Sequence, residues 1–452
     1  MDTIQRGVRV EASESLMMKK QLSNVMRVAP LCVALLISTA GCARRAGQAR
    51  PEGGALAHTM QPVRVSAANV DAAEPAIAAL RDGSAYIAWI EHDANREADV
   101  FVVRLDAEGR AAGAPVRVNP FAGAAKGWRG DPPTIAVAAD KTVYVGWTAR
   151  VGSEARGSNL YLSASRDEGR TFGPPVKVND DAKAASHGMH SLAVSADNRV
   201  YVAWLDERNV TAPPTPAQSA NGKPVEHTEA NSEVFFAVST DGGRSFSQNK
   251  RLASEVCPCC KTALIAGANN QVYVGWRQVL PGDFRHIAIA ASTDAGQSFA
   301  APKIVSDDNW KITGCPVSGP ALALAADGAL RVVWYTAGER GLAGLYWAES
   351  RDQAQTFSER RLLANGAVRG NPALLADARN NLLAVWESDE EKEPRIFSAR
   401  LSADGAASAG APLADNAELP SVATTGEQLF VGYIVSDKDL RSIWITRAKP
   451  TA

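Results

Sequence analysis

One pattern recurs along most of the chain and constrains its fold more than any other feature: a short apolar segment closed by an aromatic residue. It reads Tyr86-Ile87-Ala88-Trp89, Tyr144-Val145-Gly146-Trp147, Tyr201-Val202-Ala203-Trp204 and Tyr273-Val274-Gly275-Trp276. Arg331-Val332-Val333-Trp334, Leu383-Ala384-Val385-Trp386 and Phe430-Val431-Gly432-Tyr433 continue it. Each copy follows a strand of small apolar residues, such as Ile135-Ala136-Val137-Ala138 or Ala321-Leu322-Ala323-Leu324. Each precedes an alternating strand, such as Leu160-Tyr161-Leu162-Ser163 or Val234-Phe235-Phe236-Ala237,. The closing aromatics follow one another at intervals of about 50 to 70 residues, room for four strands per unit and too long for a solenoid rung.

A four-stranded repeat of this length predicts an all-β fold, a β-propeller. After the third strand comes a turn of fixed composition. It reads Ser165-x-Asp167-x-Gly169-x-Thr171-Phe172, Ser239-x-Asp241-x-Gly243-x-Ser245-Phe246 and Ser292-x-Asp294-x-Gly296-x-Ser298-Phe299. Ser350-x-Asp352-x-Ala354-x-Thr356-Phe357 is the same turn with its glycine replaced. The Asp and Ser oxygens suit acceptance of turn amides, the glycine suits a positive φ, and the aromatic suits a gap between units. These turns resemble the Asp boxes of the bacterial neuraminidase repeat (BNR) family, within the sialidase-like superfamily. The resemblance implies that they lie on the periphery, away from the ligand face, and are structural.

The last unit supplies only three strands: Ser421 to Thr424, Leu429 to Ile434 and Ser442 to Thr446. A spare strand, Pro62-Val63-Arg64-Val65, resembles the fourth strands Pro115-Val116-Arg117-Val118 and Pro175-Val176-Lys177-Val178. Pairing there would complete the last unit and remove a sheet edge. Seven blades closed by the N-terminal strand are therefore expected over residues 61–449, with six, the number in sialidases, as the alternative.

Residues 1–42 read as a signal peptide: Lys19 and Lys20 precede an apolar run from Val28 to Ile37 that is too short to span a bilayer,. Residues before Met17 or Met18 read as an extension upstream of the true start. Ile37-Ser38-Thr39-Ala40-Gly41-Cys42 resembles a bacterial lipobox, which implies acylation of Cys42, though Thr39 replaces the usual Leu. Plain cleavage after Ala40 is the other reading. Residues 43–60 then form a flexible tether. The expectation is a monomer in the bacterial cell envelope, held to the membrane by lipid. A net charge of -1 with acids and bases interleaved offers no field for nucleic acid,.

Loops joining consecutive blades converge on one face of such a ring, and the unusual residues fall there. Trp128, Arg129 and Asp131 precede blade two, His187, Met189 and His190 blade three, and Cys257-Pro258-Cys259-Cys260-Lys261 blade four. Cys315 precedes blade five and Arg369 blade six; Asp206, Arg208, Arg277, Arg285, His286 and Glu387 follow aromatic-ending strands. The four cysteines admit two disulfides, the default in an exported protein. His187, Met189, His190, Cys257, Cys260 and Cys315 alternatively form a soft ligand set for copper or zinc, and the cysteines a redox dithiol. Trp128, Arg129, Arg208, Arg285, His286 and Arg369 are candidates to grip a glycan or small anion. Sialidases use an arginine triad, a Tyr nucleophile and an Asp acid/base, for which Asp131, Asp206, Arg277 and Tyr335 are the available counterparts. The family's Phe-Arg-Ile-Pro signature is missing, so a binding protein is the favoured function and an exo-α-sialidase the alternative.

Overall fold

The computed structural model describes residues 57–449 apart from 152–156, 211–229, 313, 315, 377–380, 390–392, 403–405, 427 and 439. Among the described residues every regular element is a strand. Two short strands, β1 (Ala57–Thr59) and β2 (Val63–Arg64), precede the repeats. The first group is β3 (Asp71–Ala79), β4 (Ala85–His92), β5 (Ala98–Leu105) and β6 (Val116–Arg117). The next is β7 (Thr134–Val137), β8 (Val143–Arg150), β9 (Ser158–Ser165) and β10 (Val176–Lys177). Then come β11 (His187–Val194), β12 (Val200–Asp206), β13 (Ser232–Ser239) and β14 (Lys250–Val256). The fourth holds β15 (Ala263–Ala266), β16 (Val272–Leu280), β17 (Phe284–Ser292) and β18 (Lys303–Ile304). β19 (Ala321–Leu324), β20 (Leu330–Thr336), β21 (Gly344–Ser350) and β22 (Arg361–Asn365) follow. After them stand β23 (Val368–Ala376), β24 (Leu382–Ser388), β25 (Arg395–Leu401) and β26 (Ala411–Asp415). The chain closes with β27 (Glu418–Thr424), β28 (Leu429–Asp437) and β29 (Leu440–Lys449).

Every pairing is antiparallel and runs in chain order within a group. The third and fourth groups share one sheet through the single pair Val256↔Gln278. β1 and β2 both pair with β29, with Val63 opposite Ile445 and Arg64 opposite Trp444. Pairing thus starts at Ala57, inside the stretch read from sequence as tether. The first strands touch one another in succession, β3, β7, β11, β15, β19, β23, β27, and β27 touches β3 again. The result is an all-β, propeller-like fold of antiparallel sheets.

The strand pattern has a packing cause. Second strands are buried on both faces; β12 is buried at every position. Most closing aromatics, though not Trp276, which faces Ala288, stand opposite an aromatic of the third strand, and Trp89 stacks on Phe101, Trp147 on Tyr161, Trp204 on Phe235 and Trp386 on Phe397,. The indole N–H still needs an acceptor, and the side chain two residues on often supplies it: Glu91 for Trp89, Asp206 for Trp204, Gln278 for Trp276. In the Asp-box turns the Asp167 carboxylate accepts from Ser165 Oγ, Thr171 N and Thr171 Oγ1 at 2.7, 2.9 and 2.6 Å. Those bonds hold its pKa down at about 2. Phe172, Phe246, Phe299 and Phe357 each pack into the cluster between their own group and the one before. Gly169 has φ +82, and a Cβ on it would come 2.9 Å from Tyr86 of the preceding group. Position and space both call for glycine there.

Candidate functional site

Where the first strands meet lies a cavity of about 390 Å³, lined among others by Arg129, Thr134, Ser191, Lys261, Thr262 and Asn371. Its rim is built from repeated bulges. The register slips between Ala73 and Ala76, Gly188 and Ser191, Gly370 and Ala373, and Glu418 and Ser421. Each slip contains a left-handed residue: Glu74, Met189, Asn371 and Leu419, at φ of 54, 53, 49 and 52°. Such bulges re-aim side chains at the mouth of a sheet.

Arg129 spans part of this rim. Its guanidinium donates to both oxygens of Glu387 at 3.0 Å and to Glu418 at 2.5 Å. Glu387 also accepts from Asn371 Nδ2 at 3.1 Å and from the Leu419 N–H. Asp131, buried beside it, accepts from Met189 N at 2.6 Å, Thr148 Oγ1 at 3.0 Å and His190 Nδ1 at 3.1 Å. Burial pushes the Asp131 carboxyl up, but the His190 hydrogen bond and the charges of Lys261 and Lys126 outweigh it, and the pKa stays below the usual value,. Gly188 makes this possible, since a Cβ there would stand 2.6 Å from Asp131 Oδ2. His190 Nε2 and Thr134 Oγ1 are buried without a hydrogen-bond partner. Lys261 makes no ion pair among the described residues; burial lowers its pKa to about 8, with Asp131 pulling the other way.

The other candidates lie in different surroundings. His187 turns away from the cysteines, with Nδ1 2.6 Å from Ser158 O and Nε2 3.0 Å from Asp181. Asp206 accepts from Trp204 Nε1 at 2.7 Å and from Arg208, which stacks over Phe235. Arg277 is fully buried; Nε and Nη2 donate to Ser318 O and Nη2 to Tyr335 O, with Trp310 beneath the guanidinium. Tyr335 meets the edge of Trp310. Arg285 is buried, and His286 Nδ1 lies 3.0 Å from Ser306 O. Arg369 pairs with Asp389 at 2.7 Å. Trp128 is 43% exposed and lies over Gly130, itself part of the cavity wall.

Met189 packs in one buried cluster with Cys257, Cys259 and Cys260. The three sulfurs lie within 4.8 Å of one another. Cys257 and Cys260 are thiols with Sγ atoms 3.3 Å apart, well beyond the ~2.05 Å of a disulfide bond,. Of the proposed soft-metal set, Met189, Cys257 and Cys260 are brought together with Cys259, a sulfur group that could hold a metal ion, whereas His187 and His190 face Asp181 and Asp131. Cys315 and Cys42 lie outside the described residues. Glu74 and Glu418 escaped the sequence reading, and Lys261 was marked only by its place on the loop entering blade four. The signal that marks this rim is a proline just inside the first strand, as in Glu74-Pro75, Asn371-Pro372 and Leu419-Pro420.

These features define an all-β propeller-like protein with a cavity of mixed polar and apolar lining at the meeting of its first strands. No family model matches the sequence, and no curated protein is similar to it. Among solved structures, the polysaccharide lyase Uly1 is similar over 90% of this chain and 94% of its own, at 11% identity and a TM-score of 0.51. A protein of unknown function from Dyadobacter fermentans is similar over 87% and 99%, at 14% identity and a TM-score of 0.49. The Hadza microbial sialidase Hz136 is similar over 78% and 73%, at 14% identity and 0.47. The likeness to the lyase is one of fold.

Proposed function

We propose that this chain is a lipid-anchored envelope protein whose seven-bladed propeller binds an acidic glycan in the cavity where its first strands meet. The unbroken succession of first-strand contacts, with β2 adding the fourth strand to β27–β29, supports the blade count. The observation that carries the ligand class is Lys261, an ammonium on the cavity wall that makes no salt bridge among the described residues, Asp131 being the nearby charge that favours its protonated form. A carboxylate or sulfate on a sugar would pair with this ammonium, and charge-assisted bonds of this kind are the strong ones. Trp128 at the rim offers an apolar face for a sugar ring,. The named activities of the solved sialidases and of the polysaccharide lyase point to glycans as the ligand class.

Titration calorimetry with an oligouronate and a neutral oligosaccharide of equal length tests the site. The acidic sugar should bind more tightly, and Lys261→Met should weaken it about tenfold, or 1.4 kcal/mol. Equal binding of both sugars by the variant and the parent would overturn the assignment. The anchor is tested separately: Cys42→Ser should move the protein from the membrane to the soluble fraction, because the acyl chains that hold it there are lost. Unchanged fractionation would remove the anchor.

A further inference from the structure

Two arginines are buried beside a pair of thiols with no acid paired to them among the described residues. Arg277 is fully buried and Arg285 is 7% exposed. Arg277 Nη1 and the Nε and Nη1 of Arg285 have no hydrogen-bond partner, and neither guanidinium has an ion pair among the described residues. Burying a guanidinium without a counter-charge is strongly disfavoured. The charges of both arginines favour the thiolate of Cys257, whose N–H donates to Arg277 O at 2.9 Å, and Arg277 acts on Cys260 as well. The hydrogen bond between Cys257 and Cys260 drives the two thiols apart, stabilising the thiolate at Cys257, while burial keeps Cys260 protonated.

We propose that Cys257 and Cys260 form a peroxide-reactive dithiol, with Cys257 as the attacking thiolate, Arg277 and Arg285 as its counter-ions and Cys260 as the resolving thiol. Access is compatible with a small oxidant only. Cys259 lies on the cavity wall, and its Sγ is 3.8 Å from that of Cys257. The Cys257 sulfur attacks one oxygen of a hydroperoxide, the O–O bond breaks, and the departing oxygen leaves as water or an alcohol after taking a proton. Cys257 is then a sulfenic acid, oxidised by two electrons. Cys260 attacks that sulfur, its proton leaves with the displaced hydroxide as water, and the Cys257–Cys260 disulfide forms. The 3.3 Å between the sulfurs requires only a local closure of the turn,.

Cys259 is itself disulfide-bonded, so the test uses the exported protein, reduced with a phosphine, desalted and given one equivalent of hydrogen peroxide, with the bond formed assigned by peptide mass spectrometry to Cys257–Cys260 and not to Cys259. The parent should lose the mass of two hydrogens and give no dimedone adduct. Cys260→Ser should give a dimedone adduct on Cys257, and Cys257→Ser should consume peroxide about tenfold more slowly. Arg285→Gln, its fold checked by melting, should raise the pH midpoint for alkylation of Cys257, a change that lost packing alone would not produce. Peroxide consumption by Cys257→Ser at the parental rate would overturn the proposal. So would dimedone labelling at Cys260, or a metal ion bound to the untreated protein that leaves the thiols silent to peroxide.

Discussion

Glu74 shows how much one residue can hide in a sequence. It stands between Ala73 and Pro75 with nothing chemical about its neighbours, yet it is 1% exposed, left-handed at φ 54°, and its Oε2 has no hydrogen-bond partner. Burial raises its pKa from the ordinary 4.5 to about 7, against the pull of Arg441 at 3.4 Å. Between those two values the folded chain holds more protons than the unfolded one, so this carboxyl contributes a stability that falls as pH rises from 4.5 through 7,. Glu74→Gln should match the parent near pH 5 and exceed it near pH 8 by up to about 3 kcal/mol, since each pKa unit is worth 1.36 kcal/mol. Urea denaturation at the two pH values measures this. Equal stabilities near pH 8 would mean that Arg441 offsets the burial. The Asp-box residues were legible for the opposite reason: their partners lie within four positions, so the sequence alone contains the whole interaction.

At the scale of elements, the strand repeat was legible because each second strand carries its own burial pattern and closing aromatic. β2 was legible as well, since Val63 and Arg64 match the fourth strands Val116–Arg117 and Val176–Lys177 in composition and in length. β1 was not: Ala57-His58-Thr59 has no apolar alternation, and its pairing opposite Lys449 and Ala448 is a matter of backbone alone. The rim bulges were equally hidden, because a register slip depends on the partner strand and not on local sequence. The N-terminal segment is tied further by Val65 N to Ile443 O at 2.8 Å and by Ile443 N to Ser66 Oγ at 3.0 Å. Removing residues 43–56 should therefore leave the melting temperature unchanged, whereas removing 43–68 should lower it by several degrees and expose β29 as an open edge that promotes aggregation. Thermal melts and light scattering of the two truncations decide it. Equal melting temperatures would separate β2 from the cooperative fold.

The whole molecule decides which distant residues meet, and this is where sequence reading of the site reached its limit. Loop position drew attention to the sequence around Asp131 and His190, but it could not tell a side chain facing the cavity from one locked between sheets. Hydrolysis of a sialoside requires an anion clamp, a nucleophile and an acid in one fixed geometry. Of the candidates, Asp206 is engaged with Trp204 and Arg208, and Arg277 is buried against the carbonyls of Ser318 and Tyr335. Asp131 is occupied by three donors, including His190. None of these groups is placed to grip a carboxylate or to shuttle a proton to a leaving group at the cavity wall, where Lys261 and Arg129 stand instead. The purified domain should accordingly show no turnover of a fluorogenic α-sialoside above the rate of a Lys261→Met control, even at sialoside concentrations that would saturate the proposed acidic-glycan site. Turnover that disappeared in both Asp206→Ala and Arg277→Ala, with melting curves showing an intact fold, would sink this view. It would mean that the ring opens in solution enough to release those side chains from their internal partners and assemble them around substrate.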